Sequence, residues 1–232
     1  MDSLMIMMGG YYSGFWIMIP ALILMFWAQI KVSSTFAKYS RVPSLSGVTG
    51  ADVARVLLQA RGLDIPVERT ERRLGDHYDP IKKVVRLSRG VHDSTSVAAL
   101  GVAAHETGHA LQHADAYGPL VARNAFFPVA GFASRAMGPL IIASLFVGLR
   151  FPPILYGLLF CFAVYALFAV VTLPVEFNAS SRALKLLGNA GILTADEAPK
   201  ARAVLNAAAL TYVASAVFAI MQLIRIFLVS RR

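Results

Sequence analysis

The chain has 232 residues, of which 57% are hydrophobic, with a mean hydropathy of +0.61 and a net charge of +9. That balance excludes an ordinary soluble domain and indicates a membrane protein, and because the positive charge sits at the ends of apolar runs it reads as topology and contact with anionic lipid, with nothing resembling a nucleic-acid-binding module. A single cysteine, Cys161, excludes an intramolecular disulfide and lies in an apolar run as a small core residue.

The first apolar run, Tyr12 to Ile30, is uncharged, approaches the roughly 20 residues a spanning helix needs, and carries Trp16 and Trp27 near its ends, where amphipathic rings favour the interface. Only Asp2 precedes it and Lys31 follows it, the reverse of a cleavable signal, so it reads as an uncleaved anchor. Lys31 to Gly50 is a polar connector without periodicity. Thr49 then caps a short amphipathic helix, Ala51 to Ala60, which stops at Gly62. Pro66 to Thr70 and Val84 to Leu87 are predicted strands around the turn-rich stretch Asp76-His77-Tyr78-Asp79-Pro80. A strand just before the next helix offers an edge for an extended peptide, or else belongs to a small structural hairpin.

The next helix is predicted from Ser96 to His113. Ser94, Thr95 or Ser96 caps it, and Val97 to Ala104 is a continuous run of small and apolar helix formers. It carries His105-Glu106-Thr107-Gly108-His109, an H-E-x-x-H that sets two imidazoles one turn apart on one face, able to share a zinc ion, with the glutamate beside the open metal position. Three of the five histidines of the chain, His105, His109 and His113, fall on this apolar helix. Such groups need partners there, and a metal is one. A catalytic zinc also needs a third protein ligand, with water in the fourth position. His113 is one candidate, but it stands about 6 Å further along the helix axis than His109, which suits a helix-end residue or a support for the ligands better.

The second and third apolar runs, Phe126 to Leu149 and Pro153 to Val175, form a helical hairpin across Arg150-Phe151-Pro152-Pro153. Arg135 inside the second run implies that its first half is shielded from lipid, the span meeting lipid only after Gly138-Pro139. Glu176 opens a predicted helix directly after the third run, and the hairpin can return it to the side where the H-E-x-x-H helix begins. It is the better third ligand, although a carboxylate at a helix N-terminus is also favoured by the dipole alone. Ser180 follows four residues on, where its hydroxyl can hold the free nitrogen of a ligand histidine. The fourth run, Ala207 to Val229, contains a snorkelling Arg225 and ends in Ser230-Arg231-Arg232. Lys31, Lys38, Arg41, Arg123, Arg182, Lys185, Lys200 and Arg202 then share one side, assigned to the cytoplasm; Asp2, Arg150, Arg231 and Arg232 lie on the other, and the terminal pair opposes the assignment.

The expected architecture is a mainly α, polytopic membrane protein with about four transmembrane helices and a small α+β zincin-like catalytic region made of the H-E-x-x-H helix and a short β-hairpin. Its segments are an N-terminal anchor (1–30), a cytoplasmic zincin-like region (31–125), a transmembrane hairpin (126–175), a segment with the third ligand (176–206) and a C-terminal transmembrane helix (207–232).

Together, His105 to His113, the upstream Asp76-His77-Tyr78-Asp79-Pro80 and the downstream Val175-Glu176-Phe177-Asn178-Ala179-Ser180 resemble the YugP-like membrane zinc metallopeptidases, which are similar in plan to the HtpX and CAAX-prenyl-protease type of membrane gluzincin. The resemblance covers nearly the whole chain. It implies one zinc held by His105, His109 and Glu176, with Glu106 as general base and Ser180, His113 and Asn178 around the ligands. HtpX-type enzymes usually carry an aspartate where Ser180 stands, so less charge surrounds the ligands here.

The reaction expected is metal-assisted hydrolysis of a membrane or membrane-proximal polypeptide, in a bacterial plasma membrane with the site on the cytoplasmic side. A cationic or phenolic donor should stabilise the oxyanion; Tyr212 and Arg182 rank ahead of His77. The competing reading is a zinc-binding membrane scaffold without activity, against which the presence of Glu106 argues, and a small-molecule hydrolase is a third. The expected partners are the polypeptide substrate and the lipid bilayer; no regulatory membrane partner or homo-oligomer is specified by the sequence.

Overall fold

The computed structural model describes residues 14–72, 74–148 and 151–230. Asp2, Tyr12, Leu149, Arg150, Arg231 and Arg232, which carry part of the expected span limits and charge placement, lie outside the described residues. A 3₁₀ turn, Phe15–Met18, leads into α1 (Ile19–Tyr39); then come α2 (Gly50–Gln59), β1 (Val67–Thr70), β2 (His77–Asp79), β3 (Val84–Ser88), α3 (Arg89–His92), α4 (Val97–Ala114), α5 (Gly118–Val147), α6 (Pro152–Asn189) and α7 (Ala198–Ser230).

Among the described residues, four helices, α1, α5, α6 and α7, are long and apolar enough to cross a membrane. The chain is thus a mainly α, polytopic membrane protein with a small sheet. Each of these helices runs past the apolar stretch marked by hydropathy. α1 continues through Lys31 to Tyr39, so the connector begins only at Ser40; α5 starts at Gly118 and α7 at Ala198. α6 passes unbroken through Pro174, which removes a single rung of the hydrogen-bond ladder, so Glu176 lies inside a helix and not at its N-terminus. The physical reason is length. The 38 residues of α6 extend about 57 Å, nearly twice the roughly 30 Å hydrocarbon layer, and an established helix continues into water where its residues turn polar. Arg135, expected to be shielded, is exposed on α5, which leaves its stem to carry the charge towards the interface.

The chain divides into two compact units: the described residues up to Ala28 with Ala122–Leu173 and the residues from Thr211 on, and Gln29–Val121 with Pro174–Leu210. In the first unit Cys161 is buried with Ala133 and Val164. The second unit holds the sheet and α4.

Its core follows from the periodicity of α2. Thr49 and Asp52 form a capping box, the Thr49 hydroxyl accepting the Asp52 N–H at 3.2 Å and the Asp52 carboxylate accepting the Thr49 N–H at 3.1 Å. Val53 and Leu57, one turn apart, pack with Val97, Leu100 and Ala104 of α4, Ala183 and Leu187 of α6, and Leu205 of α7. The adjacent pair Ala54 and Leu58 packs with Val85 and Leu87 of β3 and with Ala99 and Ala103. Both stripes of α2 are therefore buried, and α4 is covered on opposite sides.

The sheet order is β1-β3-β2, with β1 parallel and β2 antiparallel to β3. β2 arises inside the stretch read as a turn. Asp and Pro signalled the turn, yet the Asp76 carboxylate accepts both the N–H and the hydroxyl of Ser88, at 2.7 and 2.9 Å, and so ties the start of β2 to the end of β3. The strand before α4 is consequently the central one, paired on both sides, and cannot offer the expected free edge; α3 also intervenes. The edge strand beside α4 is β2.

Candidate metal centre

Ser96 caps α4 by accepting the Ala99 N–H at 3.2 Å, which sets the phase of the helix carrying His105, Glu106 and His109. Gly108 lies against α6. A Cβ at that position would meet the Ala179 carbonyl oxygen at 2.7 Å, so the two backbones approach as closely as they do only because the side chain is absent. One turn before Ala179, Glu176 points its carboxylate at the imidazoles of α4. Its Oε2 lies 3.2 Å from His105 Nε2 and 3.5 Å from His109 Nε2. The two rings stand edge-on, with centroids 4.7 Å apart. The ligand atoms of His105, His109 and Glu176 all fall within 4.8 Å of one another.

Those separations suit zinc. Ligands about 2.0–2.1 Å from a tetrahedral ion are about 3.3 Å from each other, which matches the two nitrogen–oxygen contacts. Both imidazoles also present the same nitrogen to the shared point, because Nδ1 of each is engaged elsewhere. His109 Nδ1 donates to Gln112 Oε1 at 2.9 Å. The Gln112 amide cannot turn round, since its Nε2 donates to the Val175 carbonyl at 2.8 Å and to Asn178 Oδ1 at 3.0 Å. Ser180 Oγ lies 3.1 Å from His105 Nδ1. The fixed Gln112 oxygen thus turns the Nε2 lone pair of His109 towards the shared point, and Ser180 can do the same for His105 by accepting from its Nδ1.

Glu106 is buried, and its Oε2 accepts the backbone N–H of Tyr78 at 3.0 Å, so the edge strand β2 holds this carboxylate. The Tyr78 hydroxyl pairs with His113 Nδ1 at 2.8 Å. Burial, and to a lesser degree Asp79, raises the pKa of the Tyr78 phenol and keeps it protonated. Burial by itself lowers the proton affinity of His109, but the carboxylates of Glu176 and Glu106 together with Gln112 outweigh it, and the net direction is upward. The pocket thus attracts positive charge.

The other residues singled out in the sequence occupy different places. His113 reaches Tyr78, one turn beyond the cluster. Asn178 joins Gln112 to Arg182, accepting the Arg182 Nε–H at 2.8 Å. Arg182 also pairs with Asp115 through Nη1 and lies over the Tyr117 ring, with its guanidinium carbon 5.7 Å from the centroid. His77, exposed on β2, makes a 2.7 Å contact between its Nδ1 and the Gly75 carbonyl. Tyr212 lies on α7, in the other compact unit. Two residues of the site carried no role in the sequence reading, Gln112 and Tyr78. Gln112 was findable as the residue three positions after His109 on one helix face; Tyr78 acts through its backbone, which residue identity does not signal.

Comparisons with known proteins identify the family. A family described as "Putative neutral zinc metallopeptidase" matches residues 14–231. The protein named "Putative membrane protease YugP" of Bacillus subtilis (strain 168) is 47% identical over 212 residues, covering 91% of this chain and 93% of that protein. No solved structure matches the chain. Because the family match runs through all four spanning helices and through His105, His109 and Glu176, the chain belongs to this family of zinc metallopeptidases.

Proposed function

We propose that the chain is an integral-membrane zinc endopeptidase that hydrolyses peptide bonds in membrane or membrane-proximal polypeptides, with His105, His109 and Glu176 holding one zinc and Glu106 as general base. The observation that carries this reading is the spacing of the three ligand atoms, with Nε2 of both histidines fixed towards one point and Glu106 held from β2. When bound, zinc would polarise the scissile carbonyl and lower the pKa of a bound water towards about 7.

The chain supplies the rest. The Tyr78 N–H occupies Oε2 of Glu106, which leaves the second carboxylate oxygen to take a proton from the attacking water and later deliver it to the departing amine. Gln112 holds His109 in the tautomer that faces the metal position, and Ser180 orients the His105 ring. The donor to the developing oxyanion is sought among Tyr212, Arg182 and His77; Arg182 uses Nε and Nη1 on Asn178 and Asp115, and His77 uses Nδ1 on the Gly75 carbonyl. The site faces the cytoplasm, a reading supported by Lys31, Lys38 and Arg41 at the polar end of the first span. A plasma-membrane setting is part of the same proposal; the name of the Bacillus relative speaks of a membrane.

The test measures zinc content and cleavage of a disordered polypeptide in the same detergent-purified samples. Wild type is expected to hold one zinc per chain and to cleave. Glu176→Gln should lose the metal. Glu106→Gln should keep it while cleavage falls by at least about 10²-fold. Normal zinc in Glu176→Gln would overturn the ligand set, and full zinc without cleavage in wild type would favour the scaffold.

A further inference from the structure

Away from the metal centre, the second unit contains a cavity of about 460 Å³ between the polar end of α1 and the start of α7. On α1 it is lined by Lys31, Ser34, Thr35, Lys38 and Tyr39, and on α7 by Ala203, Asn206, Ala207 and Leu210. Both sets follow the spacing of a single helix face. The α7 stripe is small where it faces the lysines, since Ala203 and Ala207 are no larger than a methyl group beyond the backbone, and this keeps the groove open.

Its chemistry has one sign. The lining offers two ammonium groups, three hydroxyls and a carboxamide, with no carboxylate. Among the described residues, neither lysine has an anionic partner; Lys38 only lies over the Tyr39 ring, 5.2 Å from its centroid. The Thr35 hydroxyl and the Asn206 amide have no protein hydrogen-bond partner there either, and Ser34 donates to the Lys31 carbonyl at 3.2 Å. Two cations and several donors converging on an acid-free groove suit a phosphate.

The same face of α1 continues into the apolar span. Trp27 lies one turn before Lys31 and Ile23 one turn earlier still, and both are exposed. A phosphate held by Lys31 and Lys38 would therefore have apolar protein surface directly beside it, which a lipid can cover with its acyl chains and a free ion cannot.

We propose that this groove binds the phosphodiester headgroup of an anionic glycerophospholipid, with Lys31 and Lys38 as the charge contacts, Thr35 and Asn206 as donors, and the acyl chains along Trp27 and Ile23. The headgroup contacts belong to the unit that carries the candidate metal centre.

Trp27 provides the readout. In full-length Trp16→Phe protein reconstituted in bilayers, Trp27 is the sole tryptophan, and its quenching by brominated phosphatidylglycerol is compared with that by brominated phosphatidylcholine. Each lysine near an anionic surface contributes about five-fold, so the expected preference for the anionic lipid is roughly 5- to 30-fold. Lys31→Gln/Lys38→Gln should bring it close to unity. Asn206→Leu, which fills the groove at constant charge, should reduce it. Lys82→Gln/Lys83→Gln, which removes the same charge from the β2–β3 turn, should leave it intact. The proposal is overturned by equal quenching from both lipids in the parent protein, by a preference that survives Lys31→Gln/Lys38→Gln, or by an equal loss in the Lys82→Gln/Lys83→Gln control. Release of phosphatidylglycerol by inorganic phosphate, but not by chloride at the same ionic strength, would replace the lipid with a free phosphate as the occupant.

Discussion

Gln112 is the uncharged side chain on which the orientation of His109 in the candidate metal site depends. Its carboxamide accepts from His109 Nδ1 and donates to Val175 and Asn178, so three bonds fix a group that never touches the metal position. Replacing it with leucine keeps the volume but leaves the His109 N–H unpaired in a buried place and removes the side-chain donor to the Val175 carbonyl. Partners of this kind are worth about 10- to 100-fold in metal affinity. Gln112→Leu is therefore expected to weaken zinc binding by that factor in a competitive chelator titration, with the chain still folded. Unchanged affinity would show that packing alone orients His109. At this scale the two histidines and Glu106 were legible, because H-E-x-x-H has a fixed helical geometry, and Ser180 was placed by its spacing from Glu176. Tyr78 was not, since its contribution is a peptide N–H directed by strand pairing.

At the scale of elements, the contact between α4 and α6 decides whether a site exists. The Gly108 position allows it: the added Cβ of Gly108→Ala would lie 2.7 Å from a backbone oxygen, and no side-chain rotation can relieve a clash between two helix backbones. The helices must separate, which moves Glu176 from His105 and His109. Gly108→Ala is expected to destabilise the protein by about 1–3 kcal/mol and to lower zinc stoichiometry even though every ligand remains. A variant with wild-type thermal stability and one bound zinc would contradict this account of the approach. The Thr49 cap and the stop at Gly62 were readable because they are local chemistry. The ends of α1, α5, α6 and α7 were not, because hydropathy reports where lipid ends while a helix ends where its ladder does. β2 escaped because its turn-forming residues make tertiary bonds from Asp76.

For the whole molecule, the candidate metal centre joins chain segments that are far apart in sequence, α4 before the transmembrane hairpin and the end of α6 after it. A ligand that binds only the assembled arrangement stabilises it by mass action, by about 4 kcal/mol when present at 1,000 times its dissociation constant. At the 2–4 °C per kcal/mol expected for a protein of this size, chelation should lower the thermal midpoint of wild type by roughly 8–16 °C. The variants sharpen the measurement. Glu106→Gln removes no proposed ligand, so its midpoint should fall with chelator as wild type does. Glu176→Gln removes the only proposed ligand contributed by α6, so its midpoint should already be low and respond little to chelator. If Glu176→Gln responded as strongly as wild type, zinc would be held within α4 or elsewhere, and α6 would meet α4 through packing such as that of Ala183 and Leu187 against Leu100 and Ala104 alone. A drop in wild type and Glu106→Gln but not in Glu176→Gln assigns the joining of the two segments to the ion itself.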